Sequence, residues 1–338
     1  CKDFHLTEAL LPINFYEKLL KMANFTNGIT KPNGFVFQFG DNDSGRAHIL
    51  DYSSNNMSLD HNHFPKSVYY FLNQKKSFNA IKTKNKDYLF YGNISNKLKL
   101  KSSFKQNSNK YYFKNSGLVI LKNKNAWLGT ICSSNGKNKT GGHNHNDKLS
   151  FELNIFNEDV IVDGGCPFYT NSPKLRNSYR STKAHSTVYI EGIEQDKWGL
   201  DTKDLFKLKE TTNPKINLDN NNEIIGSHNG YPIDHIRKFK LFDNKLIIKD
   251  YIESFNKKRI INFNLASNIK VNFNNKCKSI IFELELLRIN KNINLEVCNV
   301  INPIIKKGYY SEAYGCEINN LMISCEMTED NAKSTFYW

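Results

Sequence analysis

Leu149-Ser150-Phe151-Glu152-Leu153-Asn154-Ile155 alternates apolar with polar residues without a break, the period-2 mark of a half-buried strand. A turn at Asn157-Glu158 leads into Val160-Ile161-Val162-Asp163, so the two runs read as an antiparallel hairpin. If that turn is a two-residue loop, Val160 and Val162 oppose Ile155 and Leu153 on the core face. Asp163 then points to the polar face with Ser150, Glu152 and Asn154. Runs of the same style follow at Phe239 to Leu241 with Leu246 to Ile248, at Ile260 to Leu265 and at Ile280 to Leu287. Many strands separated by Asn- or Lys-rich turns predict a mainly β protein, with a large antiparallel β-sandwich over residues 106–338. No fixed-period repeat is visible.

Residues 1–105 read differently. Between Glu8 and Phe25 the apolar residues Leu10, Leu11, Ile13, Leu19, Leu20, Met22 and Phe25 fall at roughly helical spacing, with Pro12 near the start and Gly28 just beyond the end. Residues 51–110 mix short apolar clusters with Lys, Asn and Ser, as the tail of a helical segment followed by a connector would. His61 and His63 form an H-x-H pair with no Asp or Cys at ligand spacing, and read as a solvated loop. The stretch Phe39-Gly40-Asp41-Asn42-Asp43-Ser44-Gly45-Arg46 has a calcium-loop flavour but fails the EF-hand pattern. Gly45 stands at the third ligand position and the closing glutamate is absent, so a structured loop is expected.

A chain of 338 residues exceeds the size at which one core usually stops growing, which predicts two folding units. With 39% hydrophobic and 13% aromatic residues it has enough apolar material for a packed core. Lys and Arg outnumber Asp and Glu by 47 to 33, and the net charge of +14 draws anionic partners by long-range attraction. A Lys-, Asn- and Ile-loaded composition can also reflect genome bias. Nucleic acid ranks last among such partners, because no zinc-finger spacing, aromatic RNA-binding signature or basic helix is present. Seven cysteines, widely spaced, odd in number and without a C-x-x-C pair, indicate neither a disulfide framework nor a thiolate zinc site. Cys316 and Cys325 could bridge a hairpin, but buried free thiols are the expected state. No run approaches the roughly 18 apolar residues of a membrane span, and no charged-then-apolar export signal is visible. The chain begins at Cys1 rather than at Met, as a fragment or a processed form would.

The chemistry concentrates in Gly141-Gly142-His143-Asn144-His145-Asn146-Asp147-Lys148-Leu149-Ser150-Phe151, then Val162-Asp163-Gly164-Gly165, then Arg176, Arg180-Ser181-Thr182 and His185-Ser186-Thr187. Three of the nine histidines fall here. Neutral imidazole nitrogen and carboxylate oxygen are both good ligands for zinc, so His145, Asp163 and His185 could hold that ion. A polar cluster in which these groups simply hydrogen-bond is the alternative. The parity of His145 is that of the core residues, so it joins Asp163 only if the chain leaves regular β geometry before Leu149. Gly141 and Gly142 favour such a departure.

The string GGHNHNDKLSFEL, then IVDGG, then RNSYRSTKAHSTV resembles the C-terminal domain of heparinase II/III-like polysaccharide lyases, whose pattern runs gHxHxDxLSFxL, vDpG and a pair of arginines before aHxTv. FGDNDSGR resembles the segment that follows the last helices of the toroid in bacterial members. The resemblance implies that residues 1–105 are the tail of an (α/α) toroid plus a connector, followed by the β-sandwich, with the active-site cleft between toroid and sandwich. It implies a catalytic role for His143 and a zinc ion, mainly structural, on His145, Asp163 and His185. The family's catalytic Asn and Tyr lie in the toroid, of which only the tail fits in this chain. Tyr16 stands in the wrong context for the catalytic Tyr and is not assigned. Where the family has VDPG this chain has Val162-Asp163-Gly164-Gly165, which relaxes a turn without touching the ligand.

The implied reaction is β-elimination from a uronic acid in an acidic polysaccharide. Arg176 and Arg180 have the fork geometry to pair with sugar carboxylates or sulfates, the other reading being surface arginines in a loop, and Tyr169 is a candidate for stacking on the substrate. Tyr179 is a weaker candidate for stacking or proton transfer. Two other readings share these residues: a uronyl C5-epimerase of related fold, and a non-catalytic polysaccharide-binding β domain with structural zinc. The family resemblance points to the periplasm or to secretion. The identity of the uronic acid and the oligomeric state are not encoded in these patterns.

Overall fold

In the computed structural model the described residues are 12–42, 59–90, 108–136, 140–199, 202–254, 256–276 and 279–338. The chain divides into two compact units: one comprises Cys1–Val36 with Ser44–Ser108, the other Phe37–Asp43 with Asn109–Trp338.

The smaller unit is helical. Helix α1 spans Ile13–Ile29 and starts directly after Pro12, whose fixed φ suits a helix entrance. It ends later than the apolar spacing predicts, taking Gly28 into its last turn. The predicted residues 8–11 lie outside the described residues. Helix α2, His63–Phe71, packs beside it, and the short α3, Lys75–Ala80, packs on α2. Tyr16, Leu20 and Ala23 of α1 meet Val68, Tyr69 and Leu72 in a small core, and the Tyr69 hydroxyl donates to Asn24 Oδ1 at 2.8 Å. His63 opens α2 rather than lying in a loop, because the Asp60-Asn62 turn leads straight into it: Asn62 N donates to Asp60 Oδ1 at 3.0 Å. Among the described residues no helix is long and apolar enough to cross a membrane.

The larger unit is an antiparallel β-sandwich with 17 strands among the described residues. The first five form one sheet in sequence order: β1 (Lys110–Phe113), β2 (Leu118–Lys122), β3 (Ala126–Ile131), β4 (Phe151–Ile155) and β5 (Glu158–Ile161). The others are β6 (Val188–Ile190), β7 (Lys215–Leu218), β8 (Glu223–His228), β9 (His235–Leu241), β10 (Lys245–Ile252), β11 (Arg259–Asn264), β12 (Ile269–Asn275), β13 (Ser279–Leu286), β14 (Lys291–Cys298), β15 (Val300–Lys307), β16 (Leu321–Met327) and β17 (Asn331–Tyr337). They make an eight-stranded sheet in the order β12-β13-β14-β17-β10-β9-β8-β7 and a four-stranded sheet in the order β15-β16-β11-β6. A bridge between Ile161 and Leu265 joins the five-stranded sheet to the four-stranded one. One helix, α4 (Pro173–Tyr179), interrupts the β structure.

The hairpin that opens the sequence reading is present with its turn one residue earlier. Phe156 and Asn157 adopt φ of 55° and 67°, the paired left-handed conformation of a tight hairpin turn, and Ile155 pairs with Glu158. A register shift between Leu153 and Asn154 then brings Leu153 opposite Ile161. That bulge lets Val160, Ile161 and Val162 all reach the core, which strict alternation forbids.

Phe151 sits where the sheets meet. Its ring lies 5.7 Å from Phe239 on β9, 6.5 Å from Phe263 on β11 and 6.2 Å from Phe336 on β17. Beside it runs a buried cation, Arg237 of β9. Its Nε and Nη2 donate to Asp250 of β10 at 2.7 and 3.1 Å. Its Nη1 donates to Leu149 O at 2.9 Å and Ser186 O at 2.7 Å. One side chain therefore fixes both loops that carry the histidine motif. Asp250 also meets His235 Nε2 at 2.7 Å. Burial alone would raise the Asp250 carboxyl, but Arg237 and His235 outweigh it and hold it below the usual carboxylate range.

Because breaking a buried pair strands its partner's charge, Arg237→Met should lose about 3–5 kcal/mol in urea unfolding at neutral pH. The lowered Asp250 contributes stability that is full above the unfolded aspartate value of about 3.9 and lost as the pH falls through the folded value. The stability gap between wild type and Asp250→Asn should therefore narrow as urea titrations are taken below that pH. A gap that stays constant into acid contradicts this account.

Candidate active site and metal centre

The His143 loop joins β3 to β4 and is not a continuation of either. Leu149 takes φ +64°, a left-handed conformation rare for leucine, while its N–H still donates to Ile131 O at 2.7 Å. Asn144 N closes a turn on Gly141 O at 3.2 Å, and Ser150 N closes another on Asp147 O at 2.9 Å. The departure from β geometry before Leu149 releases His145 from the parity of the core strand, as bringing it to Asp163 requires. Asp163 follows β5, where its N–H donates to Glu152 Oε1 at 3.0 Å and its Oδ1 accepts from Gly165 N at 3.0 Å. His185 ends the short 3-10 turn Thr182–Ala184 that precedes β6.

These three residues converge: one ligand atom from each of His145, Asp163 and His185 lies within 4.8 Å of the others, and all three are buried. The two imidazole rings are 5.4 Å apart, centre to centre. His185 Nδ1 meets Asp163 Oδ2 at 2.7 Å, and His145 Nε2 meets Asp41 Oδ1 at 2.9 Å. The remaining nitrogens, His145 Nδ1 and His185 Nε2, are buried without a hydrogen-bond partner among the described residues. Two orphaned imidazole nitrogens beside a carboxylate form a donor set that fits a zinc ion, because each otherwise carries an uncompensated desolvation cost. Burial opposes charge on His185, but Asp163 outweighs it and raises the imidazole; Asp163 is in turn held below the usual carboxylate range against its own burial. Asp147, beside them, is raised by burial.

A second trio, Asp41, His145 and Cys166, is equally close. It fits a metal less well. Burial pushes the Cys166 thiol up to about 12, and the thiol donates to Phe168 O at 3.1 Å, so a metal here would have to displace that proton.

His143 stands apart from the buried pair. Its side chain is 68% exposed, its Nδ1 meets Asp41 Oδ2 at 3.0 Å, and its ring touches Tyr169 and Phe206 at 6.1 and 5.6 Å between centres. Tyr169 also meets Tyr314 at 5.1 Å, so the exposed imidazole is bordered by an aromatic patch. An apolar-faced surface of this kind suits the C–H face of a sugar ring.

The two arginines depart from expectation. Arg176 and Arg180 are 0% exposed rather than presented at the surface. Arg176 donates to Asp41 Oδ2 at 2.5 Å, to Gly142 O at 3.0 Å and to Leu205 O. Arg180 donates to Leu205 O at 2.8 Å and Lys207 O at 3.1 Å, and its guanidinium stacks 4.6 Å from the Trp198 ring centre. Arg176 in α4 and Arg180 at its C-cap stand one turn apart, and loop carbonyls take part of their donors, while Arg176 Nε and Arg180 Nη2 are buried without a hydrogen-bond partner among the described residues. Tyr179 is buried as well, and burial raises its phenol above the usual range.

A polar brace beneath the loop has no counterpart in the sequence reading. Lys148 Nζ meets Asp196 Oδ2 at 2.5 Å, Lys148 N donates to Gln195 Oε1 at 2.9 Å, and Asn146 Nδ2 donates to Glu194 Oε2 at 2.8 Å. Asp41 itself was visible only as one polar residue in a turn-rich stretch; no spacing marks it as a partner of residues a hundred positions away. The neighbouring residues 43–46 lie outside the described residues. The described cysteines, Cys132, Cys166, Cys298, Cys316 and Cys325, are all free, with Cys316 exposed and Cys325 buried.

The fold has known relatives. No curated protein matches the sequence. The heparan sulfate lyase HepC from Pedobacter heparinus superposes with a TM-score of 0.64 at 18% identity, covering 97% of this chain and 47% of that one. A heparinase III gene product with methylated lysines gives 0.66 at 16% identity, covering 97% and 46%. A further heparinase III structure gives 0.61 at 18% identity, covering 97% and 49%. The chain thus spans about half the length of these structures, and at such identity the likeness concerns the fold. The family model described as "Heparinase II/III-like, C-terminal" matches residues 105–338, well over half of the chain, and the protein belongs to that family.

Proposed function

We propose that the chain is the catalytic-histidine and metal-bearing half of a polysaccharide lyase that cleaves an acidic, uronic-acid-containing polysaccharide by β-elimination. The observation that carries this reading is the exposed His143, anchored from below through Nδ1 and bordered by Tyr169 and Phe206, next to the buried trio of His145, Asp163 and His185. Membership of the heparinase II/III-like family and likeness to a heparan sulfate lyase support a uronate substrate.

In this reaction a base removes the C5 proton beside the sugar carboxylate. The electron pair becomes the C4–C5 double bond, the C4–O bond breaks, and the departing oxygen takes up a proton. The C5 proton is weakly acidic, so the developing enolate-like charge needs fixed donors and the proton needs a positioned acceptor. His143 supplies a ring nitrogen at the surface for that exchange, or a cationic imidazolium for the charge. Tyr169 and Phe206 offer the stacking face that orients the sugar. Arg176 serves by fixing Asp41 rather than by touching substrate. His145, Asp163 and His185 would hold zinc, which when bound supplies a fixed positive charge and ties the His143 loop to the strand ends behind it.

Substituting His143→Ala in the protein carrying this chain should lower turnover on a uronate polymer by about 10²–10⁴-fold, read as the ultraviolet absorbance of the unsaturated product, with melting temperature and metal content unchanged. Full turnover in the variant refutes the role of His143. A reaction that inverts C5 without that absorbance refutes the lyase reading in favour of epimerisation. His145→Ala and His185→Ala should instead lose bound zinc by elemental analysis and lower the melting temperature. Chelation should lower that of the wild type in the same direction, because an ion that binds only the folded state stabilises it.

A further inference from the structure

Among the described residues, Asp41 is the one acidic side chain that both histidines of the H-x-H pair, His143 and His145, share. It lies outside the stretch matched by the family model, yet it groups with the β unit. Its side chain is 1% exposed. Its Oδ2 receives His143 Nδ1 at 3.0 Å and Arg176 Nη2 at 2.5 Å, and its Oδ1 receives His145 Nε2 at 2.9 Å. The backbone is docked as closely. Asp41 N donates to His143 O at 2.9 Å and Gly40 N to Asp147 Oδ2 at 3.2 Å. Gly40 has φ +63°, and a Cβ there would stand 2.5 Å from His143 O, so only glycine allows the approach.

An ionised carboxylate can only accept hydrogen bonds, so each ring nitrogen facing it must carry the proton. In a neutral ring the lone pair then sits on the opposite nitrogen. For His145 that is Nδ1, the buried orphan facing the Asp163 and His185 cluster. For His143 it is Nε2, on an exposed ring. Burial works against a charge on Asp41, but His145 and Arg176 outweigh it and hold the carboxyl far below the usual carboxylate range.

We infer that Asp41 is the positioning residue of this site: one carboxylate sets the tautomer of both histidines, presenting the His143 Nε2 lone pair outward for proton exchange and the His145 Nδ1 lone pair inward for the metal. The catalytic half of this inference rests on the lyase reading; the tautomer half does not.

The test separates the two. In 15N-histidine-labelled protein in slightly alkaline buffer, long-range proton–nitrogen correlations, with His143 assigned through His143→Ala, should show its proton on Nδ1. A free imidazole prefers the proton on Nε2, and Asp41→Ala should return His143 to that preference. A wild-type His143 protonated on Nε2 overturns the inference whether or not Asp41→Ala folds. With a uronate polymer as substrate, the isosteric Asp41→Asn should lower kcat about 10- to 100-fold with KM within a factor of two, and weaken zinc binding in a competition titration with a chromophoric chelator. Unchanged kcat and unchanged zinc affinity together overturn it. If the wild type has no lyase activity the lyase reading fails, and the tautomer measurement still decides the role of Asp41.

Discussion

A guanidinium in a hydrophobic core is costly unless its donors are paired, and Arg237 places four of its five N–H donors on oxygens drawn from three segments. Two belong to Asp250 on the neighbouring strand of the eight-stranded sheet. The other two are the carbonyls of Leu149 and Ser186, each beside a segment of the histidine motif. The eight-stranded sheet thereby sets the spacing between the His143 loop and the His185 turn. Leu149 can keep its left-handed conformation because its carbonyl is held by Arg237 and its N–H by Ile131.

The same chemistry recurs around the histidines. Asp41 faces His145, Asp163 faces His185 and Asp250 faces His235, each at 2.9 Å or less. A carboxylate on one ring nitrogen fixes the orientation of the other, and the pairs differ in what that other nitrogen meets. In the first two the opposite nitrogens belong to rings that face each other in one buried cluster, which is what a metal site needs. The third pair lies with Arg237, where it completes an ion-pair network. Burial makes each of these groups costly to leave unpaired, so the polar site is as firmly specified as the apolar core beside it.

The β grammar was legible because alternation is a local signal. The strands around Leu153, Phe239, Leu246, Phe263 and Phe282 lie where their patterns place them. Errors appeared where register depends on a partner strand. The turn at Phe156-Asn157 falls one residue early, and the bulge beside Asn154 buries Ile161 as well as its neighbours. His145, Asp163 and His185 were named from their motif and do come together. Arg176 and Arg180 look like substrate forks in the sequence, because guanidinium chemistry is visible there while the carbonyls of Leu205 and Lys207 that accept from them are not.

The sequence by itself determined the alternation that makes a β-sandwich, the histidine motif that marks the family, and the break in β geometry that Gly141 and Gly142 permit. Only the tertiary structure decided which groups those histidines meet. Asp41 reaches His143 and His145 across about a hundred residues, and Arg237 reaches Leu149 and Ser186 across gaps that no periodicity records. The physical reason is that side-chain periodicity reports only which face of an element is buried. Charge pairing is settled when desolvation forces each buried donor to find the nearest acceptor that folding has brought within reach.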